Sequence, residues 1–170
     1  MGVSTYAHEL FRAAGELDAD YVPIGMGSGI VGTIAARDML GLKTKVIGVV
    51  AEGANAVALS FAAGKPVSTN TASSFADGMA VRVVNPDAFA HIQQGADRIV
   101  TVSEDEIAAA VRLYFTCCHT IAEGAGAAPL AALMKERAAM KGKRVGVILS
   151  GGNIDMPKFA AALAGQTPPA

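Results

Sequence analysis

The chain has 170 residues and a formal net charge of −1, a length that suits one compact domain. Hydrophobic residues make up 52% and charged residues only 17%, against roughly 25% charged in ordinary soluble domains. A large core is therefore available, and part of the surface is expected to be covered by a missing segment or a second subunit. No basic excess points to nucleic acid, and no apolar run approaches the ~20 residues of a membrane span. His8 and Glu9 interrupt the first apolar run, which argues against a secretory signal there.

Taken in order, Val3, Tyr6, Ala7, Leu10, Phe11 and Ala14 form a helical stripe that predicts a helix over 3–14. Tyr21 to Ile24 reads as a short apolar strand that runs into a glycine-rich turn and a helix over 30–40. Thr44 to Val50 is a buried strand ending at Glu52-Gly53-Ala54-Asn55, with a helix over 56–63 that stops at Gly64. A loop follows to Asp77, then a short strand over 79–84, a helix over 86–94 ended by Gly95, and a strand over 98–102. Ser103 and Glu106 make a capping box for a long helix reaching His119. An alanine-rich helix over 127–140 precedes a buried strand from Arg144 to Leu149. Asp155 opens the last helix with Pro157 in its first turn, and the tail 165–170 is expected to fray, leaving a single domain over 1–164.

Strands and helices alternate, and the strands are nearly continuously apolar. That predicts an α/β fold, three layers with a mostly parallel sheet and helices on both faces. Ligands in such sheets sit at the carboxyl ends of strands. Four groups fall there: the Gly25 turn, Glu52, the Ser103 corner and the Ser150 turn. Cys117 and Cys118 are adjacent on a helix and lack zinc spacing, so they read as reduced, cytosolic core thiols. His8, His91 and His119 read as structural, and Asp77 as a loop-capping or catalytic acid.

The turn Gly25-Met26-Gly27-Ser28-Gly29 is the chief functional candidate. A strand–turn–helix of this kind gathers backbone N–H groups at one point, and the helix dipole adds partial positive charge, which suits a phosphate without any Lys or Arg. Glycines would keep side chains off the anion and permit positive φ. A tight strand–helix connection needing small residues only for packing leaves the same pattern. Gly27-Ser28-Gly29-Ile30-Val31-Gly32 also fits G-x-G-x-x-G, and Glu52 stands where a ribose-binding acid belongs, so a dinucleotide (NAD-type) domain is one reading. A helix before the first strand and the second glycine turn, Ser150-Gly151-Gly152-Asn153, weigh against it. That turn delivers a hydroxyl at a strand end beside two glycines that would let a flat ring approach; helix capping is the structural alternative for Ser150. One phosphate nest plus one neutral hydroxyl at ring distance suits pyridoxal 5′-phosphate (PLP).

Four stretches occur in order: Val22-Pro23-Ile24-Gly25-Met26-Gly27-Ser28-Gly29-Ile30, Phe75-Ala76-Asp77-Gly78-Met79-Ala80-Val81, Ala122-Glu123-Gly124-Ala125-Gly126-Ala127-Ala128 and Leu149-Ser150-Gly151-Gly152-Asn153-Ile154-Asp155. Together they resemble the carboxy-terminal part of the PLP-dependent serine/threonine dehydratases, which share the tryptophan synthase β-like fold. The resemblance implies that Gly25, Met26, Gly27, Ser28 and Gly29 cradle the cofactor phosphate, that Ser150, followed by Gly151, bonds the pyridine nitrogen, and that Gly78 and Glu123 lie near the ring. A divalent cation held by Glu52 and the backbone of Ala56 occurs in some members, but Ala58 stands where a third, acidic ligand is often found.

The resemblance also implies an absence. The lysine that would bind the cofactor covalently, and the loop that would grip the substrate carboxylate, belong to segments upstream of the glycine turn in that family. Lys43, Lys45, Lys65, Lys135, Lys141, Lys143 and Lys158 sit at strand starts, loops or helix surfaces. The expectation is a piece of a longer cytoplasmic lyase, with Met1 standing where the preceding chain would have been. The whole would dehydrate and deaminate L-threonine or L-serine to a 2-oxo acid and ammonia, and this portion alone would be inactive. It is expected to work as a homodimer or paired with the missing amino-terminal portion, with an amino acid as substrate and no nucleic-acid or membrane partner. A non-catalytic, stand-alone PLP or phosphate binder would keep the same turns.

Overall fold

A computed structural model of the chain describes residues 2–170, so the expectation placed on Met1 lies outside the described residues. Four parallel strands form one sheet in the order β3-β2-β1-β4: β1 Ala19–Pro23, β2 Lys45–Ala51, β3 Ala96–Val102 and β4 Val145–Val147. Tyr21 aligns with Ile47 on one side and with Val147 on the other, and Ile47 with Arg98 beyond. Seven helices accompany them: α1 Ser4–Ala14, α2 Ser28–Met39, α3 Ala56–Ala63, α4 Pro86–Gly95, α5 Glu104–Cys118, α6 Gly124–Lys135 and α7 Met156–Leu163.

The alternation of side chains along each strand sorts the core into two halves. Tyr21, Ile47, Val49, Val100 and Val102 face α5, α6 and α7, where Ile107, Val111, Ala127 and Phe159 meet them. Val22, Ile24, Val46 and Val50 face the other way, onto Ile30, Ile34, Val57, Phe89 and Ile92 of α2, α3 and α4. Helix α1 packs outside that second layer, joining α2 through Ala7, Phe11 and Ala36. Both faces of the sheet are covered, as the continuous apolar strands required.

Helix ends follow their local chemistry. Ser103 and Glu106 form the reciprocal capping box of α5. Gly64 closes α3 in the left-handed region. Helix α6 begins at Gly124, three residues before its expected start, and stops at Lys135. Beyond it the carboxylate of Glu136 reaches Arg98 in a two-pronged contact and also takes the Tyr21 hydroxyl. The strand expected over 79–84 does not form, because local turns claim its donors: Met79 N–H bonds Ala76, Ala80 N–H bonds Asp77 and Val81 N–H bonds Met79. The last strand is shorter than Arg144 to Leu149, ladder pairing being confined to Val145–Val147. The tail is tied down rather than frayed: Gln166 N–H donates to Ala161, Thr167 bonds Asp105, and Pro168 is buried. Cys117 and Cys118 are both exposed, not core thiols, because they fall in the last, solvent-facing turn of α5.

One buried charge conflicts with its surroundings. Asp20 in β1 is fully buried, neither carboxyl oxygen has a partner, and the group leans over Gly146 and Leu17. Burial pushes its pKa up to about 7. An acid whose pKa is raised by folding favours the native state below its unfolded pKa near 3.8 and loses that advantage as pH rises to about 7. Replacing it by Val is therefore expected to stabilise the chain at pH 8 by roughly 2–4 kcal/mol, with the gain shrinking by pH 5. Urea melts at the two pH values check this, and a pH-independent difference would contradict it.

Candidate functional site

The site begins where β1 ends. Pro23 closes the strand, Gly25 and Met26 turn the chain, and Gly27 caps α2 at φ 96°. Among the described residues, no protein acceptor receives the N–H of Gly25, Met26, Gly27, Ser28, Gly29 or Ile30. Four free amides, Gly27 to Ile30, are expected of any helix start, but here two more, Gly25 and Met26, precede them at the positive end of a 12-residue dipole.

The glycines are glycines for reasons that differ from the expectation. Among Gly25, Gly27, Gly29, Gly151 and Gly152, only Gly27 has positive φ. A Cβ on Gly25 would collide with the carbonyl oxygen of Gly78, so these two loops touch backbone to backbone. A Cβ on Gly29 would lie 3.2 Å from the Tyr6 hydroxyl. In the second turn, Gly151 leaves room for the Glu123 carboxylate, 2.8 Å from where its Cβ would stand, and Gly152 leaves room for the Ile121 carbonyl. Close approach of one protein segment to another thus accounts for residues assigned to ring access.

These contacts bring the four stretches to one cavity of about 610 Å³. Gly25, Met26, Gly27, Ser28 and Gly29 form one wall, Gly78 and Met79 another, and Glu123 with Ala125 a third. Leu149 and Ser150 complete it from the end of β4. Ser150 is exposed, and its hydroxyl makes no hydrogen bond among the described residues. Asp155, not Ser150, occupies the N-cap position of α7, so capping does not explain the serine. Gly151 stands just behind, its carbonyl accepting the N–H of Glu123 at 3.1 Å, while Glu123 accepts the N–H of Asn153 at 3.1 Å. The Glu123 carboxylate therefore joins the third stretch to the fourth.

A smaller chamber of about 220 Å³ adjoins and shares Gly78, Glu123 and Ala125. Lys158 borders it, 3.6 Å from the carboxylate of Asp77. Among the described residues no lysine lines the larger cavity. Glu52 and Ala56 do not reach either chamber. Glu52 is exposed, the Ala56 carbonyl is taken by the Ser60 hydroxyl at 2.7 Å, and no three ligating side chains gather there among the described residues.

Sequence reasoning missed the residues that hold the Asp77-Gly78 turn in place. Glu104, in the first turn of α5, accepts the Phe75 N–H at 3.0 Å and the Ser74 hydroxyl at 3.1 Å, and Ser74 in turn accepts the Ala76 N–H. An acid in a helix's first turn looks like a dipole partner, and only the fold shows its second task.

The arrangement defines an α/β protein in which a glycine-rich anion nest and the Ser150 hydroxyl line one cavity. Comparison with known proteins makes the class specific: residues 1–151 match the pyridoxal-phosphate dependent enzyme family, and the chain belongs to it. It is 40% identical over 164 residues to phenylserine dehydratase of Ralstonia pickettii, covering 96% of this chain and 50% of that protein. It is 33% identical over 165 residues to L-threo-3-hydroxyaspartate ammonia-lyase of Saccharomyces cerevisiae, covering 97% of this chain and 51% of that one. The processed threonine deaminase isoform 2 of Solanum lycopersicum superposes with a TM-score of 0.90 at 31% identity, over 96% of this chain and 48% of that chain. The fold is thus that of the PLP-dependent tryptophan synthase β-like enzymes, and PLP replaces the dinucleotide as the cofactor of the family. The chain spans about half the length of the curated relatives it matches.

Removing the Glu104 carboxylate strands the Phe75 N–H and frees the loop before Gly78. Glu104→Ala is expected to cost about 1–3 kcal/mol of stability and to speed proteolysis within residues 66–77. Urea unfolding with mapped limited digestion checks this; unchanged cleavage there would show that the loop is held by something else.

Proposed function

We propose that this chain is the carboxy-terminal, cofactor-holding portion of a PLP-dependent lyase that converts a β-hydroxy-α-amino acid of the threonine/serine class to a 2-oxo acid and ammonia. The observation that carries this reading is the convergence of five backbone amides, Gly25 to Gly29, and the Ser150 hydroxyl, all without a partner among the described residues, on one cavity. Phenylserine, 3-hydroxyaspartate and threonine, named for the relatives, all carry a hydroxyl on the β-carbon, which supports the substrate class.

In this reading the amides of Gly25 to Gly29 hold the phosphate, helped by the α2 dipole. Ser150 meets the pyridine nitrogen and, being neutral, does not hold it protonated. Gly78 and Glu123 stand beside the ring, Glu123 fixed there by the Asn153 and Gly151 backbone. Bound in this way, PLP supplies the electron sink that lets the α-proton and then the β-hydroxyl leave. The proton must pass to a base, and the cavity wall offers no lysine among the described residues. Lys158 is engaged by Asp77 in the adjoining chamber. The chain by itself is therefore inactive in this reading, and activity requires the portion that carries the lysine. Exposed Val3 and Met39, which line one apolar cavity between α1 and α2, support an apolar partner surface, either for that portion or for a second copy. The missing lysine also supports a second reading, a non-catalytic PLP or phosphate binder.

Two measurements separate these. The pure chain is expected to bind PLP, with Ser150→Ala weakening it about three- to tenfold as one hydrogen bond is lost, and to release no 2-oxo acid from threonine or serine. Equal binding by Ser150→Ala would remove the assignment of Ser150, and turnover would show that a lysine of this chain suffices. The intact mass of the natural polypeptide then decides: well above 17.2 kDa supports the lyase, and 17.2 kDa the binder.

A further inference from the structure

The nest is fastened from outside by a residue that belongs to none of the four stretches. Tyr6 of α1 lies in the cavity wall, with its hydroxyl 3.1 Å from the carbonyl of Gly29 and 3.3 Å from Oγ1 of Thr33. Thr33 is fully buried and donates its own hydroxyl to the same carbonyl at 3.1 Å. Two hydroxyls from two helices therefore converge on one peptide oxygen. Burial raises the pKa of the Tyr6 phenol, so it remains a donor. The absence of a side chain on Gly29 is what admits it, since a Cβ would stand 3.2 Å from the hydroxyl.

That oxygen belongs to the planar peptide unit linking Gly29 to Ile30. In a helix, the N–H of such a unit points opposite to its carbonyl, toward the N-terminus. Fixing the Gly29 carbonyl therefore fixes the direction of the Ile30 N–H, which points back toward the N-terminal end of α2 and has no acceptor among the described residues. Without the Tyr6 bond, only the Thr33 hydroxyl and ordinary helical bonding would hold this plane, at the end of the helix where fraying begins.

We infer that Tyr6 is a positioning residue: its hydroxyl locks the Gly29–Ile30 peptide plane so that the first turn of α2 is pre-set to receive a phosphate monoester. This rests on the PLP reading above and adds to it a residue from a separate helix. The test compares PLP with pyridoxal, which lacks the phosphate, on the 170-residue chain. Tyr6→Phe keeps the ring and its packing. It is expected to weaken PLP about three- to tenfold and leave pyridoxal unchanged, with Thr33→Val following and Thr33→Ser retaining wild-type affinity. Hydrogen exchange on the ligand-free chain gives an independent arm: Tyr6→Phe is expected to speed exchange at Thr33 and the amides beside it, and not in the last turn of α2. Equal weakening of both ligands would make Tyr6 a mere packing residue and overturn the inference. Unchanged affinity together with unchanged exchange would do the same. A wild-type chain that binds neither ligand would overturn the PLP reading, and the exchange result alone would then uphold or overturn the locking of the plane.

Discussion

Five neighbouring amides, Gly25 to Gly29, left without an acceptor among the described residues, set the terms for the rest of this fold. A peptide N–H that cannot reach water or a partner is costly, so a run of them persists only where the chain is forced to present it to an open space. Here the forcing is steric. Gly25 is pressed against the Gly78 carbonyl, Gly27 is turned into positive φ, and Gly29 is backed by the Tyr6 hydroxyl. Each neighbour would have to move for the turn to relax. The nest is a property of three segments pressed together as much as of its own five residues.

The same logic governs the opposite wall. Glu123 caps the backbone of the Ser150-Gly151-Gly152-Asn153 turn, and the small residues of α6 bring that helix within van der Waals reach of it; a Cβ on Gly126 would stand 2.5 Å from the Gly151 carbonyl. Alanine and glycine in α6 are poor material for a hydrophobic core but good material for close backbone approach. What reads in sequence as a bland helix is the spacer that fixes the width of the cavity.

Much of this was legible beforehand, and unevenly. Strand and helix identity followed from periodicity wherever the pattern was long, as in β2, α5 with its capping box, and α3 with Gly64. The order of four motifs pointed to the family before any coordinates. What sequence could not give were facts about partners. The apolar run 79–84 looks like a strand, but its donors are spent in turns before any neighbouring strand could claim them. Gly151 and Gly152 look like ring-access glycines until Glu123 and Ile121 are seen in that space. Glu104 and Tyr6 carry no motif at all, because their roles depend on contacts 29 and 23 residues away. Asp20 is the reverse case, a charge that the alternation places inside with nothing to meet it.

The placement of β4 has a consequence for the order in which the molecule is made. β4 lies beside β1, although Arg144, just before it, meets Asp18 across a separation of 126 residues. As the chain leaves the ribosome, the nest at the end of β1 and its flanking helices can assemble early, while the neighbour of β1 is still unmade. The apolar edge of β1 must wait through the synthesis of five helices and two strands. Ser150 arrives with β4, so the nest exists before the hydroxyl that faces it.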